Sequence, residues 1–300
     1  MVRSANGSVV RRFREPIRHV EQPDNIAIGV IVPFDFELDW EYWRYLPKNV
    51  ELYFTRTPIV RKPVGIRLAK DVSRASTVWR ATQALLSVEP EVVLYACSSG
   101  SFIRGLDGEE SIRRTILEAG AKRAVTTSGA MLEAFHVTGA RRVAIATPYT
   151  ERLTRSLVSF TEEAGYEVVS ASYLGIDHNI ASVSHDTIRD LVLEASHPDA
   201  DAVYVSCTAL RTFGSVAQLE AEIDTPVFTS NQVSLWGALC AAGAMFRETD
   251  SMDPEELPGG ASPMARSTAI LLQHAQEEQE RLMETAAQPV EHHPEEVIVS

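Results

Sequence analysis

The chain has 300 residues, of which 45% are hydrophobic, and a formal net charge of −13. This length suits two lobes of roughly 100–150 residues each, and the acidic balance disfavours nucleic acid or an anionic membrane surface as a partner. No apolar run approaches the roughly 18–20 residues of a membrane span, and a count of three cysteines predicts a reducing, cytoplasmic compartment rather than a disulfide scaffold.

The first 24 residues contain arginines but no continuous apolar core, so we expect a flexible arm and no secretory signal there. From residue 25 to residue 231, short β-rich runs alternate with helical periods, which predicts parallel α/β sheets flanked by helices. The runs lack polar alternation, as is typical of strands covered on both faces. They are NIAIGVIVP, VELYFTRTP, EVVLYACSS, RAVTTS, RRVAIATPY, YEVVSASYL, DAVYVSCTAL and TPVFTSN.

Two pairs of these runs resemble each other. GVIVPFDFEL and VAIATPYTERL both continue from an apolar strand into proline, an aromatic, a polar residue and soon a glutamate, and EVVLYACSSG and DAVYVSCTAL both end in cysteine and a hydroxyl residue. The separation between Pro33 and Pro148 is nearly that between Cys97 and Cys207. We therefore predict a duplicated lobe.

The predicted boundaries follow from this repeat. They are an arm at 1–24, an N-terminal lobe at 25–122, a C-terminal lobe at 123–228, a return segment at 229–260 that packs on the N-terminal lobe, and a helix with an acidic tail at 261–300. Ser262 followed by Pro263 is typical of a helix start, and the helix is expected to reach about residue 286. The adjacent His292 and His293 indicate a solvated tail rather than a metal site.

Cys97 and Cys207 each stand where a predicted strand gives way to a loop. Ligands of open parallel sheets bind beyond the carboxyl ends of the strands, so the two thiols can face one cleft. The hydroxyls of Ser98, Ser99 and Thr208, with nearby loop amides, can hold an anionic group there. The alternative is that each cysteine is a buried packing residue. For Cys240, on an apolar helical stretch, we expect packing.

At these residues the sequence resembles the aspartate/glutamate racemase superfamily, and more narrowly the branch of maleate cis–trans isomerase, arylmalonate decarboxylase and the ectoine-utilisation protein A group. The motifs YACSSGSFIRG, ATPYTERL, DADAVYVSCTALRT and TSNQVSLWGALCAAG carry the resemblance, which spans about residues 25–245. It implies two pseudo-symmetric α/β lobes with an active site between them that uses no cofactor. The residues themselves predict no metal site, because no matching acids or cysteines complete a set with His178 and His185. Arylmalonate decarboxylase lacks the first cysteine, and Cys97 occupies that position, which disfavours decarboxylation of that kind.

The resemblance also implies roles for particular residues. Cys97 and Cys207 would be the catalytic pair. Four residues match positions that bind substrate carboxylate in the branch, and Asn179 matches an asparagine that maleate isomerases use for a second carboxylate. The four are Ser98, Ser99, Tyr149 and Thr208.

The stretch PFDF at residues 33–36 departs from the PSSN of maleate isomerases and places Asp35 near the proposed cleft. Asp35 can orient the Cys97 thiol or bind a substrate amine, as the aspartate of glutamate racemases near this strand end suggests; its alternative role is a cap on the following helix. Ser128 is expected to cap a helix. For Ser230 and Asn231 both a cleft position and a cap remain open.

Two classes of function follow. The first is a cofactor-independent isomerase or racemase that acts on a small carboxylic acid other than maleate, in a cytoplasmic homo-oligomer. Its chemistry needs a thiolate, and we expect loop amides and helix N-termini to lower the thiol pKa from its usual value of about 8.5. The alternatives are a non-catalytic carboxylate-binding protein and a decarboxylase of arylmalonate type.

Overall fold

The computed structural model describes residues 25–44, 46–244 and 265–287, together with the short strands Val2–Arg3 and Val9–Val10. Apart from these two strands, the predicted arm lies outside the described residues. So do the predicted helix start at Ser262 and Pro263 and the acidic tail with its two histidines.

The secondary structure alternates between strands and helices along most of the described chain. The strands are Val2–Arg3 (β1), Val9–Val10 (β2), Ile26–Val32 (β3), Val50–Arg56 (β4), Val92–Tyr95 (β5), Ala124–Thr126 (β6), Arg142–Thr147 (β7), Glu167–Tyr173 (β8), Ala202–Val205 (β9) and Val227–Thr229 (β10). The helices are Asp39–Arg44 (α1), Ile66–Val72 (α2), Ala75–Leu85 (α3), Ser98–Phe102 (α4), Gly105–Glu118 (α5), Thr127–Thr138 (α6), Glu151–Glu163 (α7), His185–Ala195 (α8), Val216–Ile223 (α9), Ser230–Ala242 (α10) and Arg266–Ala287 (α11).

Two four-stranded parallel sheets form the frame of the molecule. Their strand orders are β4-β3-β5-β6 and β8-β7-β9-β10, so each strand of the first sheet has a counterpart four strands later at the same position. Every predicted strand run contains one of these strands. The expectation of an α/β fold with two related lobes is therefore confirmed.

The register of the sheets brings particular strand ends together. In the first sheet β3 pairs with β5, with Ile31 beside Tyr95, and in the second β7 pairs with β9, with Ala146 beside Val205. All residues of β5 and β9 are buried, as the unbroken apolar runs predicted. The loop after β3 therefore lies next to the loop after β5, and the same holds for β7 and β9.

Helix α10 connects the two lobes. It starts directly after β10 with a capping box, in which Thr229 Oγ1 accepts the Gln232 N–H and Gln232 Oε1 accepts the Thr229 N–H. Further along, Leu235 and Leu239 are buried in the same core cluster as β3 and β5 of the first sheet. The first turn of α10 thus belongs to the edge where the second sheet ends, and its body covers the first sheet.

Helix α11 is held at its start by a buried carboxylate. The side chain of Glu220 accepts the backbone N–H groups of Val227, Arg266 and Ser267, which satisfies amides that a helix start leaves without an intrahelical partner. Gln232 donates from Nε2 to Ser267 Oγ at 3.1 Å. The described part of α11 is therefore tied to the first turn of α10.

The expectation that Ser128 caps a helix is wrong. Helix α6 begins at Thr127, and its cap is Thr126, whose Oγ1 accepts the Gly129 N–H at 2.9 Å. Ser128 is buried inside the first turn, where its hydroxyl lies 2.7 Å from that of Ser101. Strand β6 ends two residues before Ser128, so the cap falls earlier than the sequence pattern suggested.

Candidate active site

Cys97 stands between β5 and α4, in an extended conformation. Its Sγ accepts the backbone N–H of Gly100 at 3.4 Å and lies 3.8 Å from Ser99 Oγ. The thiol thus takes the place of the usual hydroxyl or carboxylate cap of a helix. Only 4% of the residue is exposed, so the sulfur is both held by donors and shielded from water.

Cys207 follows β9 after one intervening residue and adopts an unusual backbone conformation. Its φ is +104°, in the left-handed half of the map that residues other than glycine rarely enter. Its Sγ accepts the backbone N–H of Ala209 at 3.4 Å, and its carbonyl accepts the N–H of Leu210. Strain of this kind persists only where surrounding contacts hold it.

Ser230, the first residue of α10, joins the two cysteine loops. Its hydroxyl oxygen accepts from Ser98 Oγ at 2.8 Å and from the Cys207 N–H at 3.0 Å, and it lies 2.8 Å from the Tyr204 hydroxyl. The residue after Cys97 and the amide of Cys207 are therefore linked through one side-chain oxygen. The two strand ends that carry the thiols converge at this point.

Asn231 fixes the Cys207 loop from the other side. Its Nδ2 donates to the Thr208 carbonyl at 3.1 Å and to Glu41 Oε2 at 2.7 Å, and its Oδ1 accepts from Tyr42 at 3.3 Å. Glu41 and Tyr42 belong to α1 of the first lobe and are almost completely buried. Asn231 therefore connects the first lobe to the carbonyl that follows the strained cysteine.

Burial decides the protonation of both thiols. It raises the pKa of Cys97 to about 11 and that of Cys207 to about 12. The N–H groups of Gly100 and Ala209 oppose this shift but do not cancel it. The expectation of a thiol pKa below its usual value is therefore wrong, because the amides lower the pKa by less than burial raises it, and both cysteines are neutral at pH 7.

Asp35 lies in the loop between β3 and α1. Its side chain is exposed, yet partial desolvation by its surroundings raises the pKa of the carboxyl, against the lowering effect of its own loop amide. Its charge contributes to the raised pKa of both Cys97 and Cys207. Helix α1 begins four residues later, at Asp39, so the alternative of a helix cap is not what the structure has.

Tyr149 lies after β7 and is buried, with its ring 6.1 Å from that of Phe102 in the first lobe. Its hydroxyl oxygen accepts from Ser206 Oγ at 3.4 Å. Burial raises its pKa well above the usual value, with the charges of Cys207 and Cys97 adding to the effect. The phenol is thus within electrostatic reach of both thiols.

The other predicted residues divide into two groups. Ser98, Ser99 and Thr208 are buried beside the cysteines, and the Ser98 hydroxyl is already engaged by Ser230. Asn179, by contrast, is exposed in the loop after β8, with a left-handed φ of 51°. It stands outside the hydrogen-bonded cluster of the cysteines. Cys240 packs at the border of the core, as expected.

Sequence reasoning did not find Glu41 and Tyr42, and it left Ser230 and Asn231 undecided between two roles. The available signal for the last two was their position directly after the last predicted strand. Within the described part of the chain, no three His, Cys, Asp or Glu side chains are grouped as metal ligands would be. None of the helices described has a stretch that is both long and apolar enough to cross a bilayer.

The fold is that of a two-lobed α/β protein, and the paired strand-end thiols mark a candidate site at the junction of its sheets. A family model described as arylmalonate decarboxylase matches residues 73–251. The chain belongs to the arylmalonate decarboxylase and maleate isomerase family of the aspartate/glutamate racemase superfamily.

Individual proteins and solved structures are also similar to this chain. A maleate isomerase of Pseudomonas putida is 29% identical over 193 residues, which are 62% of this chain and 73% of that protein. The structure of an arylmalonate decarboxylase double mutant in the liganded form has a TM-score of 0.69 at 25% identity and covers 75% of this chain and 97% of its own. A variant of the maleate isomerase Iso from Pseudomonas putida S16, solved with maleate, has a TM-score of 0.67 at 21% identity, over 74% and 94% of the two chains.

Proposed function

We propose that this chain is a cofactor-independent isomerase or racemase that acts on a small carboxylic acid through Cys97 and Cys207. The observation that carries the proposal is the junction at Ser230, where the loop of one cysteine is hydrogen-bonded to the loop of the other. The thiols stand at related positions of two related sheets, and the charge of Cys97 contributes to the raised pKa of Cys207. Binding of a carboxylate alone would need no thiols.

The proposed chemistry uses the thiols as a proton-handling pair. In racemisation, the thiolate of one cysteine removes the proton from the carbon next to the carboxylate, and the thiol of the other returns a proton to the opposite face. In cis–trans isomerisation, the Cys97 thiolate adds to one carbon of the double bond while Cys207 supplies a proton to the other. After rotation about the new single bond, loss of that proton and of the thiolate regenerates both groups.

The substrate carboxylate is proposed to bind beside the cysteines. The backbone N–H groups around Ser98 and Thr208 and the Tyr149 hydroxyl are the donors available for it, with Ser99 next to Cys97. Fixed donors in a buried site bind an anion without the reorganisation that water would require. Asn179 serves as the second anchor if the exposed loop after β8 moves toward the bound substrate.

Asp35 is proposed to select the second group of the substrate. An ionised carboxylate repels a second substrate carboxylate by about 1–4 kcal/mol at a separation near 4 Å, whereas it attracts an amine. One neutral hydrogen bond from Asn179 contributes only about 0.5–1.5 kcal/mol. We therefore infer that the preferred substrate is an acid that bears an amino, hydroxyl or amide group rather than maleate.

The test is deuterium exchange from D₂O into a panel of small carboxylic acids, followed by NMR. The expected result is exchange next to a carboxylate, or conversion of a double-bond isomer, in the wild-type protein and its loss in Cys97→Ser and Cys207→Ser. A panel in which binding is detected but neither exchange nor conversion occurs would favour the non-catalytic carboxylate-binding protein. Retention of full exchange in both serine variants would refute the role of the cysteine pair.

A second candidate is decarboxylation of an arylmalonate-type diacid. The match of the arylmalonate decarboxylase family model over residues 73–251 favours it. In that reaction loss of carbon dioxide leaves a carbanion that a thiol protonates, so Cys207 alone suffices. Release of carbon dioxide from phenylmalonate by Cys97→Ser at the wild-type rate, with loss in Cys207→Ser, would favour this candidate over the isomerase.

A further inference from the structure

Tyr95 is the last residue of β5 and is completely buried, two residues before Cys97. Its hydroxyl oxygen is buried as well and makes no hydrogen bond of ordinary geometry with any described residue. A buried polar group without a partner is destabilising, and natural proteins contain few of them. Since a phenylalanine here would leave no buried hydroxyl without a partner, the presence of tyrosine needs an explanation.

The space for this hydroxyl is provided by Gly100. A methyl group at Gly100 would overlap the Tyr95 hydroxyl oxygen and would lie 3.1 Å from Cys97 Sγ. The phenol and the thiol therefore both border the position where any other residue would have its Cβ. Glycine is a poor residue inside a helix, and Gly100 lies in the middle of α4. The absence of a side chain allows the two groups to face each other.

We propose that Tyr95 is a positioning residue for Cys97, whose hydroxyl donates a hydrogen bond to the sulfur when the thiol loses its proton. The inference rests on the proposed function, because it assigns a partner to the Cys97 thiolate that the proposed reaction requires. In the resting state the neutral thiol is a weak acceptor and leaves the hydroxyl unsatisfied. Ionisation of Cys97 supplies the acceptor that the buried phenol lacks.

The charged surroundings of Cys97 make such a donor useful. Burial and the Asp35 carboxylate both raise the pKa of the Cys97 thiol, while the Gly100 N–H, Ser99 and Tyr95 lower it. Burial also raises the pKa of Tyr95 well above its usual value, so the phenol stays protonated and can donate. The other titratable groups that respond to the charge of Cys97 are Tyr42, Tyr149 and Cys207.

The test is the rate of iodoacetamide alkylation of each cysteine in Tyr95→Phe, followed by peptide mass spectrometry at pH 8. Loss of a hydrogen bond to a charged sulfur raises its pKa by about 1–2 units. Since a more basic thiolate is also more nucleophilic, alkylation of Cys97 is expected to slow by about 3- to 15-fold. Alkylation of Cys207 in the same sample is expected to change less than twofold.

Tyr166→Phe is the matched control. The Tyr166 hydroxyl donates to the Leu132 carbonyl at 3.1 Å in the second lobe, away from both cysteines. The control is expected to lower the thermal midpoint and leave alkylation of Cys97 unchanged. Tyr95→Phe is expected to slow alkylation of Cys97 and to leave the thermal midpoint equal or higher, because it removes a hydroxyl that has no partner in the resting protein. Slower alkylation together with equal or higher thermal stability separates positioning from a structural role.

Gly100→Ala and the double variant with Tyr95→Phe complete the test. The alanine methyl displaces the hydroxyl, so Gly100→Ala alone is expected to slow alkylation of Cys97 and to lower the thermal midpoint. In the double variant the methyl occupies the space of the missing oxygen. We therefore expect no additional slowing relative to Tyr95→Phe, and recovery of part of the lost stability. If the slowing of Cys97 alkylation in the double variant equals the product of the two single effects, the idea that the alanine methyl and the Tyr95 hydroxyl compete for one position is contradicted.

An unchanged rate of Cys97 alkylation in Tyr95→Phe overturns the inference. The outcome is distinguishable from failure of the proposed function, because alkylation needs no substrate. If isotope exchange persists in Cys97→Ser, the proposed function fails whatever the alkylation rates are. If exchange depends on Cys97 but Tyr95→Phe alkylates like the wild type, the assignment of Tyr95 alone fails.

Discussion

Because Cys207 has a left-handed backbone conformation, we predict that glycine at this position destabilises the protein less, relative to alanine, than glycine does at an ordinary buried position. Glycine enters this region without steric penalty, whereas strained positions of this kind cost about 1–3 kcal/mol for other residues. The φ of Cys207 is +104°, and its flanking amide and carbonyl are held by Ser230 and Asn231. The variant Cys207→Gly should therefore relieve strain that Cys207→Ala retains.

Cys97 provides the matched comparison. It is buried as well, but its backbone is extended, with a φ of −149°. At Cys97 glycine is disfavoured relative to alanine by about 0.5–1 kcal/mol of backbone entropy and by about 0.8 kcal/mol for the lost methyl group. Both terms recur at Cys207, so they cancel when the two glycine–alanine differences are compared. The remainder is the strain, and glycine should be favoured at Cys207 over Cys97 by about 1–3 kcal/mol.

The assay is urea unfolding of the four single variants, with the free energies of unfolding extrapolated to water. Each of the four variants lacks one sulfur atom. The lost packing of the thiol is therefore the same for the glycine and the alanine variant at a given site and does not affect their difference. If the glycine–alanine difference is the same at the two positions within about 0.5 kcal/mol, the usual error of additivity, the argument from strain is refuted.

Three further predictions concern charge and hydrogen bonding at the site. Asp35→Asn should speed alkylation of both thiols at pH 8, since the carboxylate raises the pKa of each. The same variant should increase conversion of maleate to fumarate in an NMR assay. Efficient conversion of maleate by the wild type would contradict the role of Asp35. Tyr149→Phe should lower kcat/KM on the true substrate by about 10- to 100-fold, because it removes a hydrogen bond to a charged carboxylate. Its circular dichroism spectrum should be unchanged. Unaltered kinetics would show that Tyr149 does not belong to the site. Asn231→Asp sets a second carboxylate against Glu41 and should lower the free energy of unfolding at pH 7 by about 1–3 kcal/mol. Mutual repulsion raises the pKa of the pair in the folded state, so this loss should shrink as the pH falls toward 5, and an equal loss at both pH values would exclude the contact.

Much of the fold could be predicted because its signals are local. The unbroken apolar runs of β5 and β9 reflect burial on both faces, and the recurrence of cysteine after each of them reflects the repeat of the sheet. These patterns placed Cys97 and Cys207 at strand ends without any knowledge of long-range contacts. The rule that ligands bind beyond the carboxyl ends of parallel strands indicated that the two ends can face one cleft, and the resemblance to a known family implied the same.

The remaining features depend on tertiary contacts that no local pattern contains. Ser98 and Ser230 are separated by 132 positions, and neither segment contains a sequence pattern that predicts the hydrogen bond between their hydroxyls. The raised pKa of the thiols has the same origin, because desolvation is a property of the assembled interior and outweighed the nearby amides that the sequence indicated. The cap at Thr126 was missed for a smaller reason, an error of two residues in the start of α6.

The path of α10 has a consequence for how the chain folds during synthesis. Leu235 and Leu239 belong to the core cluster that covers β3 and β5, although the ribosome adds them more than a hundred residues after those strands. Domains ordinarily fold as units in the order in which they emerge. Here α10 follows the last strand of the second sheet, so its contribution to the core of the first sheet forms only after the second sheet has been synthesised. The two lobes are therefore expected to complete folding together. Because the first turn of the same helix carries Ser230, the two cysteine loops are joined through Ser230 only when α10 is in place over the first sheet.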